Sequence, residues 1–155
     1  MPRGIRSHSR YSSKGGAVTT VLLVESERLV RDVVADRLEE AGYQVIACPG
    51  PSAPNYTCIG TRRNACPLEA ATDVVVLDAE LSGEDVPDAA SEVDLLNYYT
   101  GAGKPVVAVR AGSDVLRLFA GEHVLPVEWP PDTDALIRGI EAARARPSIR
   151  AVEER

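Results

Sequence analysis

The chain has 155 residues, of which 45% are hydrophobic and 26% charged, and its formal net charge is −6. This length predicts one domain with a single core, and the acidic balance argues against nucleic acid as the main partner, because phosphates require a cationic surface. No stretch of about 18 apolar residues is present to span a membrane, and the first residues lack the apolar centre of a secretory signal, so we expect a cytoplasmic protein.

The first 18 residues differ in charge from the rest of the chain. They contain no acid and four bases, Arg3, Arg6, Arg10 and Lys14, so their charge is +4, whereas the remaining 13 bases and 23 acids give −10. A segment with so few apolar residues gains too little from burial to offset the entropy lost on ordering. We therefore expect residues 1–18 to be a disordered basic tail that orders against an acidic partner, or else a solvated start of the chain.

Beyond the tail, five short apolar runs alternate with segments of helical periodicity. Strands are predicted at residues 19–24, 43–47, 73–78, 105–109 and 123–127. Helices are predicted at residues 26–41, 93–99, 113–121 and 132–145. In the first helix Ser26 is the predicted N-cap, and one face is expected to pack inward through five apolar side chains: Leu29, Val30, Val33, Val34 and Leu38.

The alternation of strands and helices predicts the fold class. Strands that are apolar throughout need cover on both faces, and the alternating order gives parallel strands joined by crossovers. We predict an α/β domain at residues 19–146, a single doubly wound five-stranded parallel sheet with helices on both faces, and a charged end at 147–155. Functional groups in such sheets collect at the carboxyl ends of the strands. The candidates there are Glu25, Ser26, Glu27, Asp78, Arg110, Glu128 and Trp129.

Four segments of the chain are VLLVESERLVRDVVADRLEEAGYQV, LDAELSGED, KPVVAV and EWPPDTDALIRGIEAA. Together they resemble a bacterial response-regulator receiver domain of the CheY-like family, over essentially the whole predicted domain. The resemblance implies a receiver, or flavodoxin-like, fold with Asp78 at the phosphoacceptor position and Glu25 as the first acid of a magnesium-binding pair. Three further positions depart from the family pattern: Ser26 replaces the second acid, Arg110 the hydroxyl residue, and Trp129 or Glu128 the lysine.

The three departures predict a site that has lost its chemistry. A phosphoryl group beside a carboxylate needs a divalent cation and a fixed ammonium to neutralise its charge. We therefore predict a non-catalytic pseudo-receiver with no cofactor, in which Arg110 forms an ion pair with Asp78. Two alternatives stay open. Arg110 turns to solvent, or the chain is a phosphorylatable regulator that uses Mg²⁺ with Glu25 and Glu27.

A Cys/Pro-rich loop is predicted at residues 48–72, where the receiver family has its second helix. It contains all three cysteines, Cys48, Cys58 and Cys66, with nine and seven residues between them. This spacing matches no common zinc or iron–sulfur signature. The alternatives are reduced thiols that pack, a Cys58–Cys66 disulfide, and a thiol or metal redox sensor.

The expected activity is binding to a protein partner, because no output domain follows the last predicted helix. The partner-binding candidates are Arg3, Arg6, Arg10, Tyr56, Arg62 and Arg63, since Tyr and Arg are enriched at interface hot spots. The lone receiver, the cysteine loop and the altered site together resemble the orphan receiver that some bacteria carry as an accessory subunit of respiratory complex I. This resemblance implies a peripheral position on the cytoplasmic side of the membrane, through that complex and without direct insertion.

Overall fold

The computed structural model of the chain describes residues 17–50, 66–78, 92–111, 113–119, 124–128 and 132–146. In these ranges five strands alternate with helices. The strands are β1 (Thr20–Val24), β2 (Gln44–Cys48), β3 (Val74–Asp78), β4 (Val106–Val109) and β5 (Val124–Val127). The helices are α1 (Arg28–Glu40), α2 (Pro67–Ala70), α3 (Glu92–Gly101), α4 (Ser113–Leu118) and α5 (Thr133–Ala145).

The strands form one parallel sheet in the order β2-β1-β3-β4-β5. The central strand β3 is buried along its whole length, and so is β4, because helices cover both faces of the sheet. The predicted fold class is thereby confirmed, and every predicted strand lies within one residue of its observed bounds. None of the helices in the described ranges is long and apolar enough to cross a membrane.

Two hydrophobic clusters lie on opposite faces of the sheet, because successive side chains of a strand point to opposite sides. In β1, Leu22 and Val24 face one cluster, together with Leu95 and Leu96 of α3. The other cluster combines alternate strand residues with α1 and α5, and its helical members that are buried are Leu38, Leu136, Ile140 and Ala143. The end of the sheet where β1, β3 and β4 finish is thus held between two packed layers.

Helix α1 differs from its prediction in two respects. Ser26 does not cap it, because the N-cap position is Glu27, and that residue makes no side-chain capping bond. The side chains of Leu29 and Val33 are 75% and 50% exposed, so they do not pack inward as expected. Leu38 is fully buried and lies on the opposite side of the helix, nine residues or about 180° from Leu29.

The segment after β2 also differs from its prediction. Cys48 belongs to the strand and not to the loop, and it is only 7% exposed. Helix α2 has four residues, and Pro67 occupies its first turn. Residues 51–65, with Cys58, Tyr56, Arg62 and Arg63, lie outside the described part of the chain.

Candidate functional site

Three charged side chains meet at the carboxyl ends of neighbouring strands. Glu25 directly follows β1, Asp78 is the last residue of β3, and Arg110 directly follows β4. The two acids are only 4% and 3% exposed, although charged groups of this kind are rarely buried without a partner. The parallel register of β1, β3 and β4 brings them together, as expected for an α/β crevice.

Arg110 binds Asp78 through both of its forked nitrogens. Its Nε donates to Asp78 Oδ1 at 3.0 Å, and its Nη2 donates to Asp78 Oδ2. This is a bidentate, charge-assisted contact, in which geometry and charge act together. The Arg110 side chain is 25% exposed, so the guanidinium closes the crevice on its solvent side. The ion pair expected from the sequence is therefore present.

The backbone of Arg110 adopts a left-handed conformation. Its φ is +61°, and it is the only non-glycine residue of the described ranges with a positive φ. Such a conformation costs on the order of 1–2 kcal/mol for a residue with a Cβ, so it persists only when other contacts favour it. The bidentate contact with Asp78 supplies such a contact. The backbone turn after β4 directs the guanidinium back over the sheet edge instead of outward.

Glu25 is held by hydrogen bonds on three sides. Its Oε1 accepts from the Glu27 backbone N–H at 3.0 Å, and its own N–H donates to the Cys48 carbonyl at 3.0 Å. Its carbonyl accepts from Arg31 Nη1 at 2.9 Å. Arg31 was not among the predicted site residues. Its sequence signal is a base in the first turn of the helix that follows β1.

The two buried carboxyl groups share a proton. The pKa of Glu25 is raised to about 7, first by burial and then by a hydrogen bond with Asp78, while the Glu27 N–H and Arg110 act in the opposite direction. Glu25 therefore keeps its proton at mildly acidic pH and loses it near neutral pH, beside the pair of Asp78 with the Arg110 guanidinium.

This donor set does not fit a magnesium ion. Mg²⁺ takes octahedral oxygen ligands, usually with one or two carboxylates. Here both oxygens of Asp78 accept from Arg110, and one oxygen of Glu25 accepts from a backbone N–H. A cation would have to displace both the guanidinium and the shared proton. In the described ranges no group of three or more His, Cys, Asp or Glu side chains is arranged to hold a metal.

Of the other predicted site residues, Glu27 contacts this group through its backbone N–H and Cys48 through its backbone carbonyl. Ser26 and Glu27 are exposed at the start of α1, and Glu128 is exposed after β5. Cys66 is half-buried and precedes α2, while Cys48 is buried at the end of β2. Trp129 and the tail residues Arg3, Arg6 and Arg10 lie outside the described residues.

An apolar cleft lies beside the acids, under α1 and α5. It is wide enough for about one water molecule, and no predicted site residue except the two acids borders it. Its lining consists of Leu23, Val24, Glu25, Val30, Val34, Val76, Asp78, Val109 and Leu136. This apolar lining explains why burial has so strong an effect on the Glu25 carboxyl group.

Comparison with known proteins gives matches in structure only. No protein-family model and no curated protein matches the chain. Among solved structures, the chemotaxis protein CheY4 of Vibrio cholerae has a TM-score of 0.55 at 15% identity, over 82% of this chain and 99% of that chain. A CheY-like receiver domain protein of Methanospirillum hungatei has a TM-score of 0.59 at 17% identity, over 81% of this chain and 93% of that one.

A third similar structure is the signal receiver domain of a modulated diguanylate cyclase of Desulfovibrio desulfuricans. Its TM-score is 0.59 at 21% identity, over 83% of this chain and 94% of that chain. Identities this low establish the fold but not the activity. The strand order, the two packed layers and these neighbours agree, and the chain therefore has the fold of CheY-like response-regulator receiver domains.

Proposed function

We propose that this chain is a non-catalytic pseudo-receiver that works as a protein-binding module. The observation that carries the proposal is the bidentate contact between Arg110 and the buried Asp78. At the position where a receiver would accept a phosphoryl group, the carboxylate already has a permanent cationic partner within its own chain. A receiver with its acceptor so paired presents one constant surface to a partner.

The charge balance of the crevice supports this proposal. Phosphoryl transfer to Asp78 would add concentrated negative charge beside Glu25, and the guanidinium that contacts Asp78 is already engaged with both of its oxygens. The transfer would also require Asp78 to leave Arg110 and attack phosphorus. Electrostatic stabilisation of such a step normally contributes several kcal/mol, and its loss lowers the rate by orders of magnitude.

The proposed partner is a large membrane-associated assembly, with respiratory complex I as the first candidate. The support is the resemblance of the lone receiver, the cysteine loop and the altered site to an orphan receiver that accompanies that complex, together with the basic segment 1–18. In this proposal the chain sits peripherally on the cytoplasmic side through its partner. Any redox centre involved belongs to the partner.

The catalytic part of the proposal is tested with beryllofluoride and Mg²⁺, a stable mimic of an acyl phosphate. Fluorine NMR of the full chain, with Asp78→Asn as the background control, should show no bound fluoroberyllate. Acetyl phosphate with Mg²⁺ should leave the intact mass unchanged. A stoichiometric adduct that disappears in Asp78→Asn would overturn the proposal in favour of the phosphorylatable receiver.

That rival has one observation in its favour, which is that Glu25 and Asp78 remain buried and in hydrogen-bond contact. A thiol sensor is less well supported, since Cys48 is buried within the sheet and so is poorly accessible to oxidants.

The partner part of the proposal is tested by affinity purification of the tagged chain from native membranes with mild detergent. Co-purification of one stoichiometric respiratory assembly, weakened by salt, is the expected result. Recovery as a monomer at every salt concentration would contradict it.

A further inference from the structure

Helix α1 carries an apolar pair on its solvent side. Leu29 and Val33 are four residues apart, so they lie one above the other, and they are 75% and 50% exposed. Asp36 and Glu40 continue the same stripe toward the end of the helix, and both are exposed. We name these four residues the outer face of α1. It points away from Leu38, which anchors the helix to the sheet.

The second half of this face is acidic. Asp36, Glu39 and Glu40 are exposed and lie within the last turns of α1. Arg28 pairs with Asp32 at 3.8 Å, and Arg37, which donates to Thr133 Oγ1 at 3.4 Å, is the one base among the three acids of the last turns, so this end stays net negative. The outer face therefore combines an apolar pair with a negative end, which suits a segment that carries both apolar and basic side chains.

The end of α1 lies beside the start of β1. The Tyr43 N–H donates to the Leu38 carbonyl at 3.1 Å, and the Gln44 N–H donates to the Thr19 carbonyl at 3.0 Å. Val18, which precedes that point, is 62% exposed. The basic residues that precede Val18 in the sequence are thus tethered at the acidic end of the outer face, and not at the crevice with Asp78.

We propose that residues 1–16 dock on the outer face of α1 within the same molecule. In this arrangement Arg10 and Lys14 lie against Asp36, Glu39 and Glu40, Tyr11 packs on Val33, and Ile5 packs on Leu29. The chain is long enough, since seven residues from Val18 to Tyr11 span up to about 23 Å, whereas Glu40 and Val33 are only about 10 Å apart along the helix. The contact is independent of the proposed partner. It would withhold the basic segment until a more acidic surface competes for it.

A tethered segment is favoured over a free partner because the apolar pair is small. Two partly exposed aliphatic side chains lie far below the roughly 800 Å² per side of a stable interface between separate proteins. Tethering raises the effective concentration of the segment to about the millimolar range, at which such a weak contact is populated. A charge of +4 on residues 1–18 against −10 on the remainder adds attraction of the right sign.

The test compares amide chemical shifts of the full-length wild type with those of the variant R3Q/R6Q/R10Q, each at low and high salt. The matched control is R117Q/R138Q/R146Q, which changes the net charge equally at exposed sites. The expected result is a shift at Leu29, Val33, Asp36 and Glu40 in the tail variant only, reproduced in the wild type at 1 M salt, where screening acts over about 3 Å. The reciprocal variant D36N/E39Q/E40Q should shift the amides of residues 1–16.

Three outcomes would overturn the inference. One is the absence of any α1 shift in the tail variant. Another is a shift that grows with protein concentration, which would assign the outer face to a second copy of the chain. The third is a change that spreads equally through α3 on the far side of the sheet, since this would indicate an effect on the fold. None of these results bears on the beryllofluoride test, so this inference and the proposed function fail separately.

Discussion

At the scale of single residues, the stability of the crevice depends on the protonation and charge of three groups, Glu25, Asp78 and Arg110. Glu25 and Asp78 are both buried, and one guanidinium lies between Asp78 and solvent. An isolated buried carboxylate would be strongly unfavourable, so each acid is stable only because of the other two groups. Changing any one of them should therefore alter the behaviour of the others, and two predictions follow this logic.

The first concerns pH. The pKa of Glu25 is raised from its ordinary 4.5 to about 7 in the folded chain, so between these values the folded state binds a proton that the unfolded state has released. The stability contributed by Glu25 is complete below pH 4.5 and is lost as the pH rises to about 7. Urea unfolding should show the difference in unfolding free energy, wild type minus Glu25→Gln, falling by on the order of 2 kcal/mol over this range.

Glu128→Gln is the control for this prediction, because Glu128 is also an acid that follows a strand but is exposed. The difference between wild type and this control should not vary in the same window. If the difference in unfolding free energy between wild type and Glu25→Gln does not change between pH 4.5 and 7, Glu25 and Asp78 do not share a proton.

The second prediction concerns Arg110. Its replacement by Ala leaves Asp78 buried without its cationic partner, which should cost about 3 kcal/mol of unfolding free energy at neutral pH. Arg110→Lys should recover less than half of this loss, because an ammonium cannot bind both carboxylate oxygens in the forked geometry. Adding Asp78→Asn to Arg110→Ala should cost less than the sum of the single changes, because the buried charge is then gone.

The control is Arg117→Ala, which breaks an ion pair with Asp114 that is 76% and 90% exposed and should change stability by only a few tenths of a kcal/mol. Equal losses for Arg110→Ala and Arg117→Ala would show that the Asp78 contact has no special stability. Denaturant unfolding at one pH measures all five variants, including Asp78→Asn alone.

At the scale of elements, the packing of α5 on the sheet depends on a glycine. A Cβ on Gly139 would lie 3.1 Å from Val127 Cγ2 and 3.3 Å from Val107 Cγ1, closer than ordinary packing allows. Val107 is fully buried, so it has little room to move. The glycine thus allows α5 to approach β4 and β5 closely, at the cost of backbone entropy in the middle of a helix.

This packing predicts opposite effects for two Gly→Ala changes. Gly101→Ala in α3 meets nothing within 4 Å and should stabilise the fold by about 0.5–1 kcal/mol. Gly139→Ala should destabilise it by about 1 kcal/mol, because overpacking against two branched side chains outweighs the gain in helix propensity. Thermal unfolding measures both. A Gly139→Ala variant as stable as Gly101→Ala would indicate that α5 is free to move outward.

The sequence was most informative about strands and least about the orientation of helices. Strands such as β3 are short apolar runs rich in Val, and their length and β-branched content favour a strand over a buried helix. In α1 the apolar residues occupy more than half of the helix circumference, so spacing alone could not tell that Leu29 and Val33 face solvent. The sharing of a proton between Glu25 and Asp78 could not be predicted either, since it depends on burial in three dimensions.

At the scale of the whole molecule, the receiver fold accommodates the buried group of Glu25, Asp78 and Arg110 at one end of its sheet. The two hydrophobic clusters contain neither Ser26 nor Arg110, so the packing of the fold does not depend on the residues at these positions. The pair of Asp78 with Arg110 was predictable because both positions follow from the strand ends. The location of Cys48 was not predictable in this way, because Cys48 is part of β2 and not of the loop that follows it.

If the fold is intact and only the charges differ, restoring them should restore cation binding. The variant Ser26→Asp/Arg110→Thr returns the second acid and the hydroxyl, and it removes the guanidinium from both oxygens of Asp78. Mg²⁺ at ten times its dissociation constant would then raise the unfolding free energy by about 1.4 kcal/mol, whereas the wild type should gain only a few tenths. Ca²⁺ should stabilise the variant less if the site prefers octahedral geometry.

Thermal unfolding with increasing Mg²⁺ measures this effect, and Asp78→Asn added to the double variant is the control that should abolish it. The gain in unfolding free energy from Mg²⁺ should be intermediate for Arg110→Thr alone, because Glu25 and Asp78 then supply two carboxylates without the third. A wild type that gains as much from Mg²⁺ as the restored variant would show that Arg110 yields readily to a cation. The ion pair would then be a resting state of a working receiver and not a replacement for its chemistry.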